Sequence, residues 1–186
     1  KMTYSSKITD WDSYVGPAKS YTNSVRGPWD ISTSGTTSVR ARVPRITKKF
    51  VKQADDWSQW KTSIYNELDA GDTYTDTVRN GTGYMYFTEA ELQGMTLAID
   101  GVAVDPSLYR VEPIGEAADG KYASFQVAFA GKVRVTKGGK TLTPSSKTPL
   151  TISYTAKMVD PASGSRDYYN DASLKVGDLE ETDYDY

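Results

Sequence analysis

Two segments of the sequence, Arg45–Val51 (RITKKFV) and Tyr168–Val176 (YYNDASLKV), decide the fold that we predict for this chain. Successive side chains of a β-strand point to opposite faces of a sheet, so each segment has one apolar phase. In the first segment Lys48 is in phase with an isoleucine and a phenylalanine, and in the second Asn170 is in phase with an alanine, a leucine and a valine. The sequence therefore predicts a lysine and an asparagine on buried strand faces.

A third segment, Thr73–Val78 (TYTDTV), repeats this pattern with an acid. Asp76 is in phase with Tyr74 and Val78, which we expect to be buried. A buried charge is costly unless it is paired or neutralised. The lysine, the aspartate and the asparagine can therefore satisfy one another, or they can react.

The reaction open to these three residue types is the formation of an amide cross-link. Burial lowers the pKa of a lysine by about 3–5 pH units, which leaves a neutral, nucleophilic amine. A nearby carboxylic acid can donate a proton to the amide oxygen and carry protons to the departing ammonia. These requirements assign Lys48 as the nucleophile, Asn170 as the electrophile and Asp76 as the acid–base group of a single-turnover reaction.

Composition excludes several other classes of function. The 186 residues include no cysteine and no histidine, which rules out disulfides, thiolate and histidine metal sites, and serine–histidine hydrolysis. The net charge of −2 gives no electrostatic basis for binding nucleic acid, and no apolar run is long enough for membrane insertion. We expect no cofactor and no metal, since the acidic tail offers too few ligands for calcium. The chain opens without a signal-peptide pattern, so we expect a mature segment or a fragment.

The order of short segments predicts an all-β protein. Threonine, serine, tyrosine, valine and glycine are plentiful, and long helical patterns are absent. Asp100-Gly101 is a two-residue hairpin signal, and Thr88–Glu91 has the spacing of a capping box before a single helical turn. Short strands separated by frequent turns predict a β-sandwich.

Four regions are expected along the chain. Residues 1–30 contain Tyr-x-x-Lys, a polar loop and Tyr-x-Asn, a pattern that returns around Asn170. We interpret them as the last two strands of a preceding repeat, with chance similarity of two polar hairpins as the alternative. Residues 31–43 are expected to form a linker with room for one strand, residues 44–178 the sandwich, and residues 179–186 an acidic exit linker.

Four motifs in order resemble a known family: ITKKF, YTDTVxNG, ISYTAK and YNDASL. Their order is similar to that in the isopeptide-forming domains of Gram-positive fimbrial and cell-wall adhesins, of the collagen-adhesin type, over about residues 43–178. The resemblance implies an immunoglobulin-like β-sandwich with an isopeptide bond between the first and last strands. It implies that Lys48 and Asn170 form that bond and that Asp76 promotes it.

Rival residues remain for two of the three roles. Lys49 is the alternative nucleophile, although its phase is outward, and Glu116 and Asp100 are alternative acids that lie in expected loops. We expect a non-enzymatic stalk module of an extracellular, cell-wall-associated surface protein, whose partners are neighbouring domains. The alternatives are a domain that binds host matrix protein or glycan, which Trp11, Trp29 and Trp57 favour slightly, and an accessory carbohydrate-binding module of a secreted enzyme.

Overall fold

The chain separates into two compact units, Lys1–Val43 and Pro44–Tyr186. The computed structural model describes residues 19–26, 32–39, 44–54, 56–79, 81–115, 119–159 and 167–186. In the first unit, strands β1 (Lys19–Arg26) and β2 (Ser32–Val39) pair antiparallel. The strand expected at Met2–Ile8 lies outside the described residues, as do Trp11 and Trp29. The interpretation of residues 1–30 as the end of a repeat stays a prediction.

The second unit is a sandwich of antiparallel sheets, which confirms the predicted all-β class. Its strands are β3 (Ile46–Ala54), β4 (Trp57–Ile64), β5 (Thr73–Val78), β6 (Met85–Tyr86), β7 (Thr96–Ile99), β8 (Val102–Ala103), β9 (Tyr109–Ile114), β10 (Ser124–Phe129), β11 (Val135–Lys137), β12 (Lys140–Leu142), β13 (Leu150–Met158), β14 (Asn170–Val176) and β15 (Leu179–Asp185). One sheet has the order β15-β14-β5-β10-β9. The other has the order β3-β4-β13-β7-β8, with β6 also paired to β13, and β11 and β12 form a separate hairpin.

The core follows the alternation of side chains along these strands. On β13, four residues of one phase are buried: Leu150, Ile152, Tyr154 and Ala156. Both sheets contribute large rings to the core: Trp60 lies on β4 beside β13, Tyr74 and Phe125 lie on the other sheet, and all three are fully buried together with Phe87. Burial of such aliphatic and aromatic side chains contributes about 1.5–3 kcal/mol each. The same two-residue period that fills the core also aims the polar residues of interest inward.

Two local predictions are confirmed at the turns. Asp100 and Gly101 join β7 to β8 with φ angles of 50° and 77°, as a two-residue turn with both residues left-handed requires. Helix α1 (Glu89–Gln93) begins after Thr88, and the reciprocal capping box with Glu91 is present. Among the described residues, no helix is both long and apolar enough to cross a bilayer.

The expected exit linker at residues 179–186 is wrong for most of its length, because Leu179–Asp185 form β15. This strand pairs antiparallel with β14 throughout, from Val176 opposite Leu179 to Asn170 opposite Asp185. Gly177, with a φ of 60°, allows the tight reversal between the two strands. The strand that carries Asn170 is therefore followed by one more strand, and the compact unit extends to Tyr186.

Candidate functional site

The three predicted residues come from three strands and lie together in the core. Lys48 is on β3, at the edge of one sheet, and is 4% exposed. Asp76 is on β5, in the middle of the other sheet, and Asn170 is the first residue of β14 beside it; both are fully buried. The lysine therefore reaches across the sandwich toward two residues of the opposite sheet.

A hydrogen-bond network connects the three side chains. The Asp76 Oδ2 atom accepts from Lys48 Nζ, from the Tyr154 hydroxyl and, at 2.5 Å, from the Tyr74 hydroxyl. The Tyr154 oxygen also accepts from Lys48 Nζ and, at 3.3 Å, from Asn170 Nδ2. Lysine and asparagine are thus bridged by a tyrosine hydroxyl that also contacts the acid.

Two buried oxygens in this cluster are without a hydrogen-bond partner. They are Asp76 Oδ1 and Asn170 Oδ1, and no other buried side-chain N or O atom of the described residues lacks one. Their residues are diagonal neighbours on adjacent strands, because Asn170 lies opposite Val78 and Ala172 lies opposite Asp76. Buried acceptors are normally paired, and an unsatisfied one costs about 1–3 kcal/mol. Asp76 and Asn170 thus each have one buried acceptor that lacks a donor.

Burial sets the electrostatics of the cluster. It lowers the pKa of Lys48 below the ordinary value of 10.5, and the opposing attraction of Asp76 does not offset it. Burial, and then the negative charge of Asp76, raises the pKa of both Tyr74 and Tyr154 well above 10.0. The lysine is therefore biased toward the neutral amine, while the two hydroxyls keep their protons.

Aromatic rings enclose the amine. Lys48 Nζ lies 5.5 Å from the ring centroid of Trp60 and 5.1 Å from that of Tyr154. Thr62, which faces Lys48 across β3 and β4, hydrogen-bonds to the Tyr74 hydroxyl at 2.7 Å. These neighbours exclude water from the amine and fix the hydroxyl groups around it.

The last strand closes the lysine side of the site. Asp183 Oδ2 accepts the backbone N–H of Lys48 at 2.6 Å, and Asp185 Oδ2 accepts that of Phe50 at 2.8 Å. These carboxylates satisfy donors on the edge of β3 that β4 does not pair. The described residues contain no group of three or more histidine, cysteine, aspartate or glutamate side chains that could hold a metal ion.

Two of the three rival residues lie elsewhere among the described residues. Lys49 is exposed, and the Asp100 carboxylate pairs with Lys137 at 2.7 Å on the surface. Glu116 falls outside the described residues. The covalent Lys48–Asn170 bond itself stays a prediction.

Sequence reasoning missed the two tyrosines that complete the site. Tyr74 shares the inward phase of Asp76, and Tyr154 shares the inward phase of β13. A buried tyrosine normally gives its hydroxyl a partner. This rule predicts that each of the two tyrosines has a polar partner in the core. It does not predict which polar group that partner is.

Comparison with known proteins identifies a shared fold. No protein-family model and no curated protein matches this sequence. Among solved structures, the C-terminal domain of the Streptococcus agalactiae AgI/II polypeptide BspA aligns with a TM-score of 0.55 and 11% identity, over 90% of this chain and 57% of that one. The N-terminal domain of the Streptococcus gordonii adhesin Sgo0707 aligns with a TM-score of 0.49 and 12% identity, over 83% and 34%.

A third similar structure is BcpA, the major pilin subunit of Bacillus cereus, with a TM-score of 0.42 and 12% identity over 88% of this chain and 45% of that one. The chain thus spans little more than half of the BspA domain that it matches. At 11% identity, the likeness to the BspA domain shows the fold alone.

Proposed function

We propose that this chain is a structural stalk module of a Gram-positive surface adhesin or fimbrial protein, stabilised by a self-formed isopeptide bond between Lys48 and Asn170. The observation that carries the proposal is the buried cluster in which both residues meet Asp76 and share the Tyr154 hydroxyl. A charged pair and an amide in a dry core are costly as a packing solution. They are the components that amide exchange requires.

The bond-forming step balances with groups of the cluster. A proton passes from Lys48 Nζ to Asp76 Oδ2, which it contacts, and leaves a neutral amine. The amine attacks Cγ of Asn170, so that the Nζ–Cγ bond forms and the Cγ–Nδ2 bond breaks. Nδ2 takes the proton that Asp76 collected, and Nζ gives its second proton to the same carboxylate, which it contacts. The products are one secondary amide, one ammonia and a protonated Asp76, and no oxidant or cofactor enters.

The two partnerless oxygens support a role for Asp76 as the acid. Negative charge develops on Asn170 Oδ1 as the amine adds, and this atom has no donor. The proton that Asp76 has collected would satisfy both partnerless atoms when it lies on Oδ1, and would stabilise that charge before it is passed on from Oδ2. General acid–base help of this kind contributes roughly 10²–10⁴-fold to a rate.

A stalk is favoured over a ligand-binding domain by the surface aromatics. Of the three tryptophans that suggested a binding face, Trp57 is described; it is half-buried, with the Lys52 ammonium 5.5 Å from its ring centroid. The partners of a stalk are the neighbouring domains of the same extracellular protein, and it needs no host ligand. Saturable binding to a glycan or a matrix protein in an array experiment would instead favour the adhesin alternative.

Intact mass spectrometry tests the cross-link. The purified protein should weigh one ammonia less than its sequence, and Lys48→Met, Asn170→Ala and Asp76→Ala should each restore the full mass. Lys49→Met is the matched control, because it removes an exposed lysine one position away and should keep the deficit. A full mass for the wild-type protein would refute the bond.

A further inference from the structure

The Tyr154 hydroxyl occupies the centre of the candidate site. Among the described residues it is the group that contacts Lys48 Nζ, Asp76 Oδ2 and Asn170 Nδ2 together. Its ring is held edge-on against two phenylalanines, with centroids 6.0 Å from Phe87 and 5.1 Å from Phe125. The hydroxyl is therefore a fixed feature of the core and not a mobile side chain that happens to reach the cluster.

Asn170 Nδ2 is the atom that the proposed reaction must expel. An amide nitrogen leaves as ammonia only after it gains a proton, and the acid that collects the lysine proton is Asp76. The contact that the structure gives Asn170 Nδ2 is with the Tyr154 hydroxyl, at 3.3 Å. The hydroxyl also contacts Asp76 Oδ2, so it lies between the proton's source and its destination.

We propose that Tyr154 is a proton-relay residue, which passes a proton from Asp76 Oδ2 to the departing nitrogen of Asn170. This inference rests on the proposed cross-link and adds a residue to it. In the resting cluster the hydroxyl donates to Asp76 Oδ2 and accepts from Asn170 Nδ2. Once the lysine amine has added to Cγ, the former amide nitrogen has a free lone pair and becomes an acceptor.

Both hydrogen bonds then reverse. Asp76 Oδ2–H donates to the tyrosine oxygen, and the tyrosine O–H donates to Nδ2. One proton arrives as one leaves, so the hydroxyl is unchanged after ammonia departs. Because burial raises the pKa of Tyr154 well above 10.0, the group acts as a neutral relay and not as a phenolate base.

Tyr74 offers a matched control within the same cluster. Its hydroxyl also donates to Asp76 Oδ2, but its other partners are Thr62 and the Tyr154 hydroxyl, and not Asn170. Tyr74→Phe and Tyr154→Phe therefore each remove one donor from the same carboxylate oxygen. Only the second interrupts the connection to the leaving nitrogen.

The test measures how fast the bond forms in chains that begin without it. Each variant of the full chain is made by cell-free translation, aliquots are quenched in acidic denaturant, and the fraction lacking one ammonia is followed by mass. We expect Tyr154→Phe to slow bond formation by about 10²-fold, and by at least about tenfold more than Tyr74→Phe does. Equal rates for the two variants would overturn the relay.

The outcomes separate the relay from the cross-link that it serves. If the mass deficit appears equally fast in both tyrosine variants, the relay is refuted and the bond is supported. If the wild-type protein has its full mass, the bond itself is refuted. If Tyr154→Phe does not fold, 3-fluorotyrosine at position 154 decides, because it keeps the hydroxyl and changes its acidity. A rate change at position 154 that exceeds the change from the same substitution at position 74 by about threefold or more supports the relay. An unchanged rate at position 154, or equal changes at the two positions, overturns it.

Discussion

The stability that the proposed bond adds can be isolated by a double-mutant cycle between Lys48 and Asn170. Asn170→Ala is made once in the wild-type protein and once in Lys48→Met. In the first case the substitution removes the bond and the local contact of the asparagine. In the second no amine is present, so it removes the local contact alone. The difference between the two costs is the contribution of the bond.

The expected magnitude follows from the length of chain that the bond closes. Positions 48 and 170 are separated by 122 residues. By analogy with a disulfide closing a loop of that length, the loss of entropy in the unfolded chain stabilises the fold by about 5 kcal/mol. The local contact is one hydrogen bond to Tyr154. Asn170 Nδ2 makes it at 3.3 Å in the chain without the bond, and the N–H of the new amide, whose Nζ already contacts Tyr154, would make it in the bonded chain; it contributes about 1 kcal/mol. We therefore expect Asn170→Ala to cost about 6 kcal/mol in the wild type and about 1 kcal/mol in Lys48→Met.

Denaturant unfolding of mass-verified samples measures the four free energies. The coupling of about 5 kcal/mol corresponds to a difference in melting temperature of about 10–20 °C for a unit of this size. The slope m should also be larger for Asn170→Ala than for the wild type, because a cross-linked unfolded chain exposes less surface. A coupling below about 1 kcal/mol, in a wild-type sample that does lack one ammonia, would refute the entropic reasoning.

Two further predictions concern titration and the last strand. In Asn170→Ala, where the Lys48 amine stays free, the unfolded chain binds more protons than the folded one between the lowered pKa of Lys48 and 10.5, so the free energy of unfolding should rise with pH across that interval. In the wild type the Lys48 nitrogen would be an amide, so the same measurement should show no such rise. The same dependence on pH in both proteins would contradict a free buried amine in Asn170→Ala. Asp183→Ala should lower the free energy of unfolding by about 1–3 kcal/mol and speed amide hydrogen exchange at Lys48, because it removes the acceptor of that N–H. Thr182→Ala is the control: it changes an exposed residue of the same strand and should leave the exchange rate of Lys48 unchanged.

The strand phases and the three candidate residues could be predicted because their signal is local. A charged or amide side chain in the apolar phase of a strand is visible within five or six residues. Lys48, Asp76 and Asn170 each have that signature, and all three are buried in the structure. The two-residue period needs no knowledge of which strands are neighbours.

The remaining features depend on contacts between distant strands. Tyr154 looks like any core tyrosine along β13, and its role appears only when β3, β5 and β14 converge on its hydroxyl. Strand β15 was not predicted because residues 179–186 are acidic, a composition typical of a linker. Asp183 and Asp185 accept backbone N–H groups 135 residues away along the chain, and the local sequence gives no sign of such contacts. A carboxylate that satisfies an edge donor and one that is solvated in a linker have the same sequence pattern.

The position of the proposed bond determines how this module would bear tension. Force that enters near Pro44 meets Lys48 within the first strand of the sandwich, and the bond would carry it directly to Asn170 on the other sheet. The intervening residues would then be bypassed and kept folded under load. After the closed loop, residues 171–186 are left outside it; they include β15, and 16 residues extend by at most about 58 Å. The carboxylates of β15 on the edge of β3 would therefore be the first contacts of the sandwich to yield, while the buried cluster beneath them holds.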